Sequence, residues 1–125
     1  MRMVRWFGFL PLVGGCAAPV LNLPEDPLRM TVIQRRAEEI PGSDNRVLLC
    51  LGDVTGGQVL VSIADRGGKP YLRTRSLATG DTVPFDIDGQ RYYLSVMELR
   101  NFPTGDDFGV FEISSRRPRR TPPPE

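Results

Sequence analysis

The residues with the clearest capacity for chemistry are one aromatic and two basic side chains at alternate positions in the middle of the chain. They are Tyr71, Arg73 and Arg75, in a segment whose alternation predicts a β-strand. Alternate residues of a strand point to the same side, so these three are expected to share one face, which Arg91 could extend. A phenol ring beside guanidiniums suits a carboxylate, a phosphate or a sugar-bearing partner. The same pattern also fits an ordinary solvated strand face, or single-stranded nucleic acid on an OB-like barrel.

Histidine does not occur in the chain, and its absence removes every catalytic triad, dyad or metal site that depends on imidazole. The adjacent Asp106 and Asp107, with Glu98 or Glu112, could supply two carboxylates for acid–base catalysis. Adjacent aspartates in a Thr-Gly-Asp-Asp sequence are more often solvated turn residues. We therefore expect no catalytic residues and no enzyme activity.

The acidic segment 86–89, Asp-Ile-Asp-Gly, contains part of the pattern of a calcium loop, but its spacing excludes that motif. With Gly89 as the sixth residue, an EF-hand would need an acidic group where Pro84 stands and a glutamate where Ser95 stands. A two-residue hairpin turn explains the segment better. The glycine pairs of the chain lack a following Lys-Ser or Lys-Thr, so no phosphate loop is predicted, and we expect no metal and no cofactor.

The N-terminus combines a short basic start, an apolar run and two small residues before the first cysteine. Two arginines precede the apolar run 6–13, and Gly14 and Gly15 precede Cys16. This order is typical of an export signal. The run is too short to cross a bilayer core, which needs roughly 20 residues. The alternative is a buried N-terminal helix or strand of a cytosolic protein, but Pro11 and the glycine pair would break a helix.

The four residues Val-Gly-Gly-Cys at positions 13–16 resemble the lipobox of bacterial lipoproteins. The resemblance implies that residues 1–15 are removed as a signal peptide and that Cys16 carries acyl chains, such as palmitate. Ala17, rather than an aspartate, follows the cysteine. In diderm bacteria this implies delivery to the inner leaflet of the outer membrane, facing the periplasm. The resemblance covers about the first twenty residues and implies nothing about the domain behind them.

The charge of the remaining chain is nearly balanced but unevenly distributed. Removing residues 1–15 takes two of the sixteen basic residues and leaves fourteen against fifteen acidic ones. This balance gives no strong field for nucleic acid, so we expect no nucleic-acid partner. Segment 115–125 has no apolar residue besides proline and is predicted to be a disordered tail that could contact anionic headgroups. It holds Arg116, Arg117, Arg119 and Arg120.

Six short apolar or alternating runs at roughly ten-residue spacing predict a small β domain. They lie near 47–51, 59–63, 71–75, 83–87, 92–97 and 110–113. We expect a small antiparallel β-barrel or sandwich of about six strands at residues 29–114, with Phe85, Leu94 and Phe111 facing its core. Residues 16–28 contain three prolines and are predicted to be a lipidated tether.

The segment before the first of these runs admits two interpretations. Ile33, Ala37 and Ile40 repeat at four- and three-residue spacing, which favours one short N-terminal helix. Apolar residues at 28, 30 and 32 alternate, which fits a strand instead. We favour the helix slightly.

Cys50 lies in the continuous apolar run Val47–Leu51, which predicts a central strand and a buried free thiol. If Cys16 is acylated, Cys50 has no partner in the chain, so no intramolecular disulfide can form.

These expectations combine into a membrane-anchored envelope lipoprotein that acts as a non-enzymatic binding or assembly module. The predicted binding residues are Tyr71, Arg73, Arg75 and Arg91, and the expected partner is an envelope protein or an anionic envelope polymer. One alternative is an envelope-located inhibitor or exclusion factor that uses the loop Asn101 to Phe108. Another, should the export signal be false, is a small β-barrel nucleic-acid binder. A hydrolase of envelope polymers is disfavoured by the missing histidine.

Overall fold

The structure, a computed structural model, describes residues 21–103 and 105–118. The predicted signal peptide, Cys16 and the arginines at 119 and 120 lie outside these residues. Within the described ranges the chain forms eight strands and no helix. The strands are β1 (Leu28–Ile33), β2 (Ala37–Glu39), β3 (Val47–Thr55), β4 (Gln58–Asp65), β5 (Pro70–Ala78), β6 (Thr82–Ile87), β7 (Gln90–Arg100) and β8 (Phe108–Ser114).

The strands form two four-stranded sheets in which every neighbouring pair is antiparallel. The first sheet has the order β1-β8-β7-β6, and the second has the order β2-β3-β4-β5. Buried side chains from both sheets form one hydrophobic cluster, as in a small β-sandwich. The mainly β, antiparallel fold is therefore confirmed, with eight strands rather than about six.

Alternation between buried and exposed residues explains why these segments are strands. In β6, Val83, Phe85 and Ile87 are buried, and the residues between them are exposed. The predicted core residues Phe85, Leu94 and Phe111 are only 3%, 0% and 0% exposed, so this prediction is confirmed. The hairpin between β6 and β7 is also confirmed, because Asp88 and Gly89 both have the positive φ that a type I′ turn requires.

The predicted short helix at residues 30–40 is wrong, and the alternative interpretation holds for its first half. Leu28 and Val32 are buried in β1, whereas Arg29 and Thr31 between them are exposed. Arg35 has a positive φ of 58°, and the chain turns there from the first sheet into the second. The helical spacing at 33, 37 and 40 is therefore coincidental. Ile33 ends β1, Ala37 begins β2 and Ile40 follows β2.

Cys50 is half-buried rather than buried, so the prediction for this thiol is corrected. In β3, Val47, Leu49 and Leu51 face the core, and Cys50 lies on the opposite, outer face. Ala37 of the edge strand β2 pairs with Cys50 within the plane of the sheet. The described residues form two sheets and no third layer over this outer face, so the sulfur stays partly accessible.

The strand register defines two opposite ends of the domain. Leu28 pairs with Ile113 and Ile33 pairs with Phe108, so β1 and β8 each run from one end to the other. We call one end the Leu21 end; it holds the turns 40–46, 66–69 and 88–89 and the segment 115–118. We call the other the Phe102 end; it holds the turns 34–36, 56–57 and 79–81 and the loop 101–107.

Residues 21–27, which the sequence assigned to the tether, pack against the Leu21 end. Leu21 is 2% exposed, and its carbonyl accepts a hydrogen bond from the Tyr92 hydroxyl at 2.7 Å. The Asn22 amide donates to the Gly42 carbonyl at 2.7 Å. A Cβ at position 42 would lie 2.0 Å from the Asn22 carbonyl oxygen, so only glycine permits this approach. The chain therefore enters the domain at Leu21.

Candidate functional site

The predicted patch on β5 does not form the regular row that its sequence suggested. Leu72 and Leu77 are the buried residues of this strand, five positions apart, so strict alternation is broken between them. Leu72 pairs with Ile63 and Arg75 pairs with Val61, which leaves an extra residue in β5 between the two pairs. Arg73 and Arg75 are exposed on this edge strand.

Tyr71 is half-buried and packs against the hydrophobic cluster. Its ring centre lies 5.7 Å from the Lys69 ammonium, so a neighbouring side chain already covers part of the ring. The phenol is thus less available than an exposed strand face would make it.

Arg91 belongs to the other sheet, in β7, and its guanidinium is already paired. Its Nε and Nη2 atoms donate to the two carboxylate oxygens of Asp86 at 2.9 and 3.2 Å. The hydrogen bond raises the pKa of Arg91 and lowers the pKa of Asp86. The structure thus places Tyr71, Arg73 and Arg75 on one sheet and Arg91 on the other.

A different aromatic and basic cluster forms on the outer face of the first sheet, at the Leu21 end. Tyr93 is half-buried between two buried neighbours and pairs with Pro84 and Ser114. The guanidinium of Arg117 lies 5.6 Å from the centre of the Tyr93 ring, a cation–π distance. We call Tyr93, Arg116 and Arg117 the tail patch.

The tail patch borders an open groove of about 460 Å³ that runs between Asp26 and the segment after β8. The carboxylate of Asp26 accepts hydrogen bonds from the hydroxyls of Ser114 and Ser115, the first at 2.9 Å, and from the Ser115 amide at 3.2 Å. Glu112, which also lines the groove, pairs with Arg29 at 2.8 Å. Both carboxylates of the groove therefore have partners, and Asp26 fixes where the C-terminal segment leaves the domain.

The pKa of Asp26 should report this attachment. The Ser115 hydroxyl contributes most to lowering the pKa of Asp26 below 3.8, against a smaller opposing effect of burial. Because the folded value is lower, the stabilisation is present above the unfolded pKa and is lost as the pH falls through the folded pKa. We expect a carboxyl-carbon NMR titration to place the midpoint of Asp26 below 3.8, and Ser115→Ala to raise it. An unchanged midpoint in that variant would show that Ser115 does not hold the carboxylate.

The loop 101–107 forms a second candidate surface at the Phe102 end. Asp107 is buried; its carboxylate accepts from the Asn101 side-chain amide and from the Phe102 backbone amide, each at 2.8 Å. The Asn101 amide also donates to the Val54 carbonyl at 3.0 Å and so ties the loop to the second sheet. Phe102 is 46% exposed, with its ring centre 5.9 Å from that of Phe108. These hydrogen bonds hold Asn101 and the Phe102 backbone in place beside the exposed ring of Phe102.

Sequence reasoning placed Asp107 among solvated turn residues and missed the tail patch. The signal for Asp107 was weak, because a buried aspartate that fixes a loop has the same local sequence as a solvated one. The alternation of Arg91 with Tyr93 and the basic residues after the last strand were visible in the sequence. That Tyr93 lies beside those basic residues was not visible, because it depends on the pairing of Tyr93 with Ser114.

No family model matches this chain, and no curated protein or solved structure matches it either. Among residues 21–103 and 105–118, no three acidic or thiol side chains come together in a way that could hold a metal ion. The same residues include no helix with the length and apolarity needed to cross a membrane.

Proposed function

We propose that this protein is a lipid-anchored, non-enzymatic binding module of the bacterial cell envelope, attached through Cys16 to the inner leaflet of the outer membrane. The observation that carries the proposal is the basic, apolar and Val-Gly-Gly-Cys sequence of residues 2–16. Leu21 is docked in the domain, so an acylated Cys16 would hold the domain close to the bilayer.

The distance limit follows from chain geometry. Cys16 lies five positions before Leu21. Five fully extended residues span at most about 18 Å, so the anchor keeps the Leu21 end near the bilayer. β8, with seven residues, extends about 23 Å away from that end at about 3.3 Å per residue. The Phe102 end is therefore presented to the periplasm, away from the lipid.

The Phe102 end has the features of a protein-binding surface. The Phe102 ring is exposed, and its backbone amide is already hydrogen-bonded to Asp107, so binding has less backbone to order there. Aromatic residues dominate binding energy at interfaces. The Phe102 end and the strand ends that adjoin it, 53–55 of β3 and 98–100 of β7, together carry five acidic and three basic side chains. A partner protein with an apolar pocket and a basic rim fits this combination.

A comparison of two exposed hydrophobic residues tests this function. Phe102 and Leu60 are similarly exposed, at 46% and 44%, but Leu60 lies on the outer face of the second sheet. We expect Phe102→Ala to reduce the capture of an envelope protein in crosslinked cells at least tenfold, or about 1.4 kcal/mol. Leu60→Ala should leave capture unchanged. Equal capture by the wild type and both variants would contradict the assignment of the Phe102 end.

An inhibitor or exclusion factor is the second candidate, because an exposed aromatic ring such as that of Phe102 can also block a partner's site. If the captured protein is an enzyme or a receptor, adding the purified domain should lower its activity, and the Phe102→Ala protein should not. Unaltered activity with intact binding favours an assembly role instead.

A further inference from the structure

We propose that the tail patch is a second membrane contact, in which Arg116 and Arg117 bind the anionic phosphate groups of lipids and Tyr93 lies at the bilayer interface. This inference rests on the proposed lipid anchor, and it adds how the domain is oriented on the membrane. The acyl chains determine whether the protein stays on the membrane, and the tail patch determines which face it turns toward the lipid.

The fold brings the two chain ends to the same place. Ser115 borders the small pocket that also contains Leu21, so the C-terminal segment leaves the domain beside the point where the N-terminal segment enters. Asp26 holds Ser114 and Ser115 by hydrogen bonds, and the Arg116 amide donates to the Ser114 hydroxyl at 3.1 Å. An anchor within about 18 Å of Leu21 therefore keeps these arginines near the lipid headgroups.

The chemistry of the patch fits phosphate at a membrane surface. Arg116 and Arg117 are exposed. The adjoining groove holds the carboxylates of Asp26 and Glu112, which have partners in Ser114 and Ser115 and in Arg29, and the charge of Arg116 also acts on Asp26. A guanidinium matches phosphate geometry with paired hydrogen bonds and can do so while stacked on an aromatic ring. Tyr93 supplies that ring, and tyrosine is enriched at membrane–water interfaces because its ring is apolar and its hydroxyl is polar.

The opposite end of the domain lacks this chemistry. The Phe102 end has more acidic than basic side chains, and Arg35 and Arg100 there are paired with Asp53 and Glu98. An anionic bilayer repels that end and attracts the tail patch. Repulsion of the Phe102 end and attraction of the tail patch both turn the outer face of the first sheet, at its Leu21 end, toward the lipid.

The composition of the chain offers a direct probe of this orientation. Its single tryptophan is Trp6, which lies within the predicted signal peptide. Tyr93→Trp therefore creates a mature protein with one tryptophan at the tail patch, and Phe102→Trp creates one at the opposite end. We would purify both mature proteins from membranes and reconstitute them into vesicles that contain lipids brominated in their acyl chains.

We expect brominated lipid to quench the Tyr93→Trp protein at least threefold more in phosphatidylcholine vesicles with 30% phosphatidylglycerol than in pure phosphatidylcholine, because the two arginines are attracted to the anionic surface. Raising the salt to about 1 M, where the Debye length is 3 Å, should remove the difference. The Phe102→Trp protein should show no such difference. Equal quenching of the Tyr93→Trp protein in both vesicles, or stronger quenching of the Phe102→Trp protein, would overturn the proposal.

A matched pair of double variants isolates the two arginines. In the Tyr93→Trp protein, Arg116→Gln with Arg117→Gln should reduce the dependence on anionic lipid by about half or more, because Arg119 and Arg120 remain in the chain. Arg73→Gln with Arg75→Gln removes the same charge from the edge of the second sheet and should leave the dependence intact. The mass of each purified protein shows separately whether Cys16 is acylated. An unacylated protein would refute the anchor, whereas an acylated protein without lipid dependence would refute the tail patch alone.

Discussion

Replacing Phe111 by alanine should lower the free energy of unfolding by about 3–5 kcal/mol. Phe111 is fully buried in β8, between Met30 of β1 and Val96 of β7. Its ring lies over Gly109, where an added Cβ would come within 2.8 Å of two ring carbons. Because glycine has no side chain that could move into the vacated space, the cavity should stay open and the loss should fall at the upper end of this range. Urea denaturation of both proteins measures it.

The same substitution at Phe102 provides the control. Phe102 is 46% exposed, so Phe102→Ala should change the free energy of unfolding by no more than about 0.5 kcal/mol. A small domain has only about 5–15 kcal/mol in total, so the two variants should differ clearly in their urea midpoints. A loss below about 1 kcal/mol for Phe111→Ala would mean that the faces of β8 are assigned wrongly.

The core was predictable from sequence because it depends on local alternation. Phe85 and Leu94 sit in runs where apolar and polar residues alternate, and a strand must bury one of its two faces. The Asp88-Gly89 turn was predictable for a similar reason, since few residues tolerate the positive φ of a tight hairpin. In both cases the deciding interactions lie within a few residues of sequence.

The errors arose where partners distant in sequence decide the outcome. The segment 28–40 has helical spacing, but β1 forms because β8, some 80 residues away, offers it an edge to pair with. Alternation alone also predicted one face for Tyr71, Arg73 and Arg75, whereas the pairing of β5 with β4 contains register shifts that break the row. Only the strand order reveals that Cys50 faces an uncovered side of its sheet.

In the candidate sites, too, the residue types were predictable from the sequence, whereas the contacts between distant residues were not. The arginines at 116 and 117 were visible as a basic segment, but their position beside Leu21 depends on the hydrogen bonds of Asp26 to Ser114 and Ser115, 88 and 89 residues away. The loop from Asn101 to Phe108 was recognised as a candidate surface, while the buried Asp107 that fixes it was not. Composition thus indicates what a surface could bind, and the fold determines which groups meet there.

Cys16→Ser should prevent acylation and release the protein from the membrane or leave it unprocessed. Each methylene of an acyl chain that enters the bilayer contributes about 0.8 kcal/mol, so losing the chains shifts the membrane partition by several orders of magnitude. The tail patch cannot compensate, because a few arginines at about 1 kcal/mol each give only weak, salt-sensitive binding. Membrane fractionation should find wild type in the pellet, and its mass should show loss of residues 1–15 and a diacylglyceryl group.

Cys50→Ser is the matched control, because it removes the other cysteine of the chain and leaves the lipobox intact. Cys50 lies half-buried on the outer face of β3, where a hydroxyl can replace the thiol without opening a cavity in the core. This variant should fractionate with the membrane and carry the same acyl mass as wild type. If wild type instead appears as a soluble protein with an intact Met1, the lipid anchor is refuted. The distance limit set by Leu21 then no longer orients the domain, and the tail patch and the Phe102 end lose their assigned directions.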